Sequence, residues 1–111
     1  MRPIRMGIKR LLLKFRTFKI PILRFMNNNL KITGLNFDIR WKDKKENFLL
    51  IEESFENIEA DLFVLPEMFS TGFCMTPEEI ADRGNETLEW MKSFALHKNS
   101  ALCGSASVCE N

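Results

Sequence analysis

The stretch Asp61-Leu62-Phe63-Val64-Leu65-Pro66-Glu67-Met68-Phe69-Ser70-Thr71-Gly72-Phe73 decides how the rest of the chain is read. Its first half is short and almost wholly apolar, the pattern of a strand buried on both faces of a parallel sheet. A carboxylate, Glu67, follows directly. An acid in that place stands at the carboxyl-terminal edge of the sheet, where open α/β folds gather their ligands. Gly72 lets the following loop turn tightly. Leu65, Met68, Phe69 and Phe73 flank the acid, and packed around it they would exclude water and help it act as a base. The pattern alone is weak, because an acid after a strand is more often a loop residue or a helix cap.

Upstream, Leu30–Phe37 (LKITGLNF) places Leu30, Ile32, Leu35 and Phe37 as a mostly buried strand would. Asp43 and Glu46 have the spacing of a capping box. The spacing predicts a helix from there to about Ala60, with Phe48, Ile51, Phe55 and Ile58 on its dry face and Glu52, Glu53, Glu56 and Glu59 on its wet one. Downstream, Thr76-Pro77-Glu78-Glu79 is a second start signal for a short helix ending near Gly84. Asn85 can cap a further helix carrying Leu88, Met91 and Ala95 on one stripe, with Trp90 and Phe94 beside it. Ser100–Val108 (SALCGSASV) reads as a third strand. Strands alternating with helices imply an α/β fold with a parallel sheet and helices packed outside it.

The net charge of +1 conceals an asymmetry. Residues 1–25 carry eight basic side chains and no acid; residues 26–111 carry the other eight and all fifteen acids. The composition therefore divides the chain into a basic leader (1–25) and an acidic body (26–111). In the leader, Ile8, Leu11, Leu12 and Phe15 would share one face of a helix that Pro21 would end. Three readings of it stand: a cationic amphipathic arm for a membrane surface, an Arg-rich transit-type segment, or an over-extended start or non-native, disordered leader before Met26. The acidic body argues against nucleic acid as its partner. No apolar run approaches the roughly 18 residues of a membrane span. Three cysteines at spacings that match no zinc pattern read as free thiols in a reducing, cytoplasmic compartment. One histidine leaves little with which to build a His-based metal site or triad.

Leu65–Phe73 (LPEMFSTGF) resembles the glutamate motif of the nitrilase superfamily of carbon–nitrogen hydrolases, and especially its omega-amidase-like branch. The resemblance extends over about residues 29–111. Leu30–Phe37 is similar to the family's first strand and the Glu-rich helix to its first helix. Thr87–Ala101 is similar to the helix with a Trp-Met pair after the motif, and Leu102–Val108 to the next strand with its Gly-Ser.

The resemblance implies the N-terminal, incomplete part of an α-β-β-α sandwich, in β-α-β-α-β order. It implies hydrolysis of a linear amide by a Glu-Lys-Cys triad, with no cofactor and no metal. Glu67 matches the glutamate, the general base that takes the thiol proton; the thiolate then attacks the amide carbon while the lysine stabilises the oxyanion. Phe69 and Phe73 become candidates for the substrate pocket. The implied ligand is a small-molecule amide, such as the omega-amide of a dicarboxylic or 2-oxo acid, and the implied assembly is a homodimer. The family's lysine and nucleophile are missing from these residues. Cys74 reads as a small packing residue, Cys103 as a buried strand residue and Cys109 as an exposed thiol; Lys92, Lys98 and His97 read as surface groups of a helix. The chain by itself is thus expected to be inactive. The rival reading is a non-enzymatic module whose basic arm binds membrane or nucleic acid.

Overall fold

A computed structural model describes residues 5–14 and 29–110. The elements are β1 (Arg5–Lys14), β2 (Ile32–Gly34), helix α1 (Lys44–Phe55), β3 (Leu62–Val64), a single 3-10 turn (Pro77–Glu79), helix α2 (Glu86–Lys98) and β4 (Ala101–Glu110). The four strands form one sheet in the order β1-β4-β3-β2. Within it β2, β3 and β4 are parallel, as the alternation of strands and helices implies.

The amphipathic-helix reading of the basic leader is corrected over Arg5–Lys14. That segment is a strand paired antiparallel with all of β4, from Arg5 opposite Glu110 to Lys14 opposite Ala101. A long strand edge presents a row of unmet N–H and C=O groups, and pairing them outweighs a local helical period. Phe15, Pro21 and Met26, on which the rest of the leader reading turned, lie outside the described residues.

The side chain of Asp43 caps α1 by accepting from the Glu46 N–H at 3.1 Å. The helix stops at Phe55 rather than near Ala60. The Lys98 ammonium explains why: it donates to the carbonyls of Phe55, Glu56 and Ile58 and so satisfies the end of the helix. Lys98 is therefore a half-buried cap and not a solvated surface charge. Asn85 does not cap α2 with its side chain; it holds the left-handed conformation at φ 60°.

Both helices cover the same face of the sheet. Thr33, Phe63 and Leu102 stand in register across β2, β3 and β4 and point to that side. Ile51, Phe55, Phe63, Met91, Phe94, Ala95 and Leu102 make the core. Phe63 lies edge-on to Phe55 and Phe94, with centroids 4.7 and 5.4 Å away. Each such side chain contributes about 1.5–3 kcal/mol by leaving water. The next rows, Ile32-Leu62-Ala101 and Gly34-Val64-Cys103, point the other way and are exposed or half-buried. β3 is thus buried on one face and not on both.

Candidate active-site glutamate and its loop

Glu67 follows β3 at the carboxyl-terminal edge of the parallel strands. The Leu65 N–H still donates to the Cys103 carbonyl at 2.8 Å; then the chain leaves the sheet and turns. Met68 takes a positive φ of 54° and Gly72 one of 74°. The turn closes where the Gly72 N–H donates to the Met68 carbonyl at 2.8 Å. A non-glycine residue held left-handed stores roughly 1–2 kcal/mol, so the surroundings must over-determine this turn.

They do so from beneath. Met68, Phe69, Ser70 and Thr71 are all buried. The Phe69 ring lies over Gly104, so closely that an added Cβ there would stand 2.6 Å from Phe69 Cε1. Only glycine leaves room for that ring. Phe69 also meets Trp90 at 5.7 Å, and Trp90 stacks on Phe48 at 4.5 Å. The Ser105 hydroxyl accepts from the Met68 N–H at 3.0 Å. The Lys42 N–H donates to the Thr71 carbonyl at 2.8 Å, and Trp41 Nε1 donates to the Phe73 carbonyl at 3.1 Å.

Two side chains that sequence reasoning missed complete this frame. Asn47, fully buried, donates from Nδ2 to the carbonyls of Arg40 and Ser70, both at 2.8 Å, and accepts from the Arg40 N–H at 2.7 Å. Asp82, also buried, accepts from the Thr87 N–H at 2.8 Å and the Thr87 hydroxyl at 3.0 Å, and pairs with Lys44 Nζ at 2.6 Å. Asp82 is the acid that caps α2, in the role the sequence assigned to Asn85. Its backbone also bridges to β4, donating to the Ser107 carbonyl and accepting from the Cys109 N–H. A buried Asn at an apolar-stripe position of a helix was the one available signal for Asn47; Asp82 carried none.

Glu67 itself is exposed. The enclosed apolar setting expected from its neighbours is corrected: Met68 and Phe69 are buried in the body of the fold and Phe73 is on the surface, which leaves Leu65 as the apolar neighbour that shares a cavity with Glu67. Glu67 borders a cavity of about 200 Å³ lined with Leu65, Cys103, Gly104 and Ser105. The structure puts Phe69 in the core at 0% exposure and Phe73 on the surface at 67%, and neither lines this cavity. Cys103 is half-buried and faces the cavity, where the sequence suggested a wholly buried residue. Cys74 is half-buried with its Sγ 3.3 Å from the Thr76 hydroxyl, and Cys109 is half-buried rather than exposed. No lysine lines the cavity among the described residues.

A larger groove, about 650 Å³, runs between α1 and α2 on the outer side and is lined by Glu52, Glu53, Glu56, Ser93, Phe94, His97 and Lys98. Volume alone would favour it. Its acids are the wet face of α1 and the Lys98 ammonium in it is committed to the end of that helix, so the smaller cavity beside Glu67 is the better site. Near the motif loop, Lys42 pairs with Glu79. The hydrogen bond to Glu79 raises the Lys42 pKa above its ordinary value, and the same bond lowers that of Glu79.

Two known proteins are similar to this chain over most of its length. The chain is 32% identical over 82 residues to an omega-amidase, YafV, of Yersinia enterocolitica. It is 32% identical over 80 residues to the omega-amidase YafV of Escherichia coli K12. The alignments take in 73% and 71% of this chain, but only 32% and 31% of those two proteins. No protein-family profile matches the sequence, and no solved structure does. The chain has a mixed α/β fold and is similar over most of its length to these omega-amidases. It spans about a third of their length.

Proposed function

We propose that these residues supply the general base of a carbon–nitrogen hydrolase that cleaves the omega-amide of a small dicarboxylic or 2-oxo acid. One observation carries the reading. Glu67 stands at the carboxyl-terminal end of a parallel strand, beside an open cavity, in a segment similar over most of its length to omega-amidases. In this reading Glu67 takes the proton of a cysteine thiol, the thiolate attacks the amide carbon, and Glu67 hands that proton to the departing nitrogen so that the C–N bond breaks and ammonia leaves as the thioester forms. Glu67 then activates the water that releases the acid.

The lysine and the nucleophilic cysteine come from residues outside these 111. So does the cover that would take Glu67 out of water: a second sheet packs on the open face formed by Ile32, Leu62, Val64 and Cys103, giving the α-β-β-α sandwich. Phe73, exposed at the loop's far end, is then available to that pocket, whereas Phe69 supports it from below. Three free thiols suit a reducing cytoplasmic setting.

The test is ammonia release from 2-oxoglutaramate. The 111-residue chain should give none above buffer, and turnover by it would overturn the need for an outside lysine and cysteine. In a protein joining these residues to both groups, Glu67→Gln should lower kcat by about 10²–10⁴-fold. Undiminished turnover would remove Glu67 from the role of base.

A further inference from the structure

Glu67 is exposed, and the backbone of the loop that follows it sets where its side chain leaves the sheet edge. That backbone is fixed at the Met68 N–H by Ser105 and at the Ser70 carbonyl by Asn47. The second contact is the more specific. Asn47 is fully buried on α1, and its carboxamide reaches two loops at once. It chelates the backbone of Arg40 through one N–H and one acceptor, and it gives its remaining N–H to Ser70. The amide plane is therefore set by the Arg40 pair before it meets the glutamate loop. The Ser70 side chain touches a second fixed point, 3.5 Å from the Thr87 hydroxyl, which Asp82 orients. A turn that starts on a left-handed Met68 is strained and persists only where its surroundings over-determine it.

We infer that Asn47 is a positioning residue for Glu67: it clamps the Ser70 carbonyl and so holds the strained turn that aims the acid. The inference rests on the reading of Glu67 as the base, but its test does not need catalysis. In the 111-residue chain, NMR relaxation order parameters of the amides from Glu67 to Thr71 report the clamp directly. They should fall from rigid values of about 0.85 to below about 0.6 in Asn47→Ala. In Phe55→Leu, a core change away from the loop, they should stay rigid. Asn47→Ser keeps one hydrogen-bonding group and should give an intermediate loss; it also serves if the alanine variant does not fold. Rigid loop amides in the Asn47 variants, or equal loosening in Phe55→Leu, would overturn the inference even if Glu67→Gln abolishes turnover. Loosened amides in an enzyme whose Glu67→Gln form remains fully active would leave the clamp standing and remove the base.

Discussion

The two faces of the sheet are built from alternate residues of the same three parallel strands, yet they differ in every physical respect. On the helix side Phe63 and Leu102 are completely shielded and meet Ile51, Phe55, Met91 and Phe94. On the other side Ile32 is 56% exposed, and Leu62, Val64 and Cys103 are half-buried. One face is a finished core. The other is apolar but open, and the cavity beside Glu67 lies where the loop leaves this sheet. The two faces thus carry separate residues, which alternate along the strands with a period of two, while Leu65 belongs to the core and also lines the cavity beside Glu67.

The largest effect should come from the closed face. Phe63→Ala removes a ring that two other rings contact, and should cost about 3–5 kcal/mol in urea unfolding. Val64→Ala, its neighbour on the open face, should cost about 1 kcal/mol. Equal losses would break the comparison. A smaller effect, about 2–4 kcal/mol, is expected for Asp82→Ala, which strands the Thr87 N–H and leaves Lys44 without its buried partner. Lys44 retains some access to water, so the loss should fall below that of a wholly enclosed pair. Thermal melts of Asp82→Ala and Lys44→Met together would sharpen this point, since the lysine change alone should be the milder.

The smallest effect concerns the exposed pair of Lys42 and Glu79. The Glu79 pKa is lowered, so its contribution is present above the ordinary carboxylate range and is lost as pH falls through it. The Lys42 pKa is raised, so its share is lost as pH rises through the lysine range. Solvent screens both. Glu79→Gln should leave the urea midpoint unchanged near neutral pH, and a clear drop there would show that the loop depends on this pair.

Much of the helix-covered face was legible in the chain. Asp43 with Glu46, the spacing of Ile51 and Phe55, and the apolar run at Leu62–Val64 are local signals, and each element formed where its signal stands. The ends of elements were less legible. α1 stops at Phe55 because a lysine some forty positions away caps it, and α2 is capped by Asp82 across an irregular turn. The frame around Glu67 was less legible still. Asn47, Ser105 and Gly104 serve the loop through contacts between distant segments, and no local period marks such contacts. The leader misled for a related reason: its helical spacing is genuine, but β4 offers Arg5–Lys14 a full row of backbone partners.

The sequence by itself determined the order of strands and helices, the parallel sheet and the place of Glu67 at its edge. These follow from side-chain periodicity and capping, which act over a few residues. Only the tertiary structure decided which face is closed, that the acid is exposed beside a cavity rather than enclosed by its apolar neighbours, and that Asn47 and Asp82 frame its loop. Those outcomes depend on which buried polar groups find partners, and the partners lie far away along the chain.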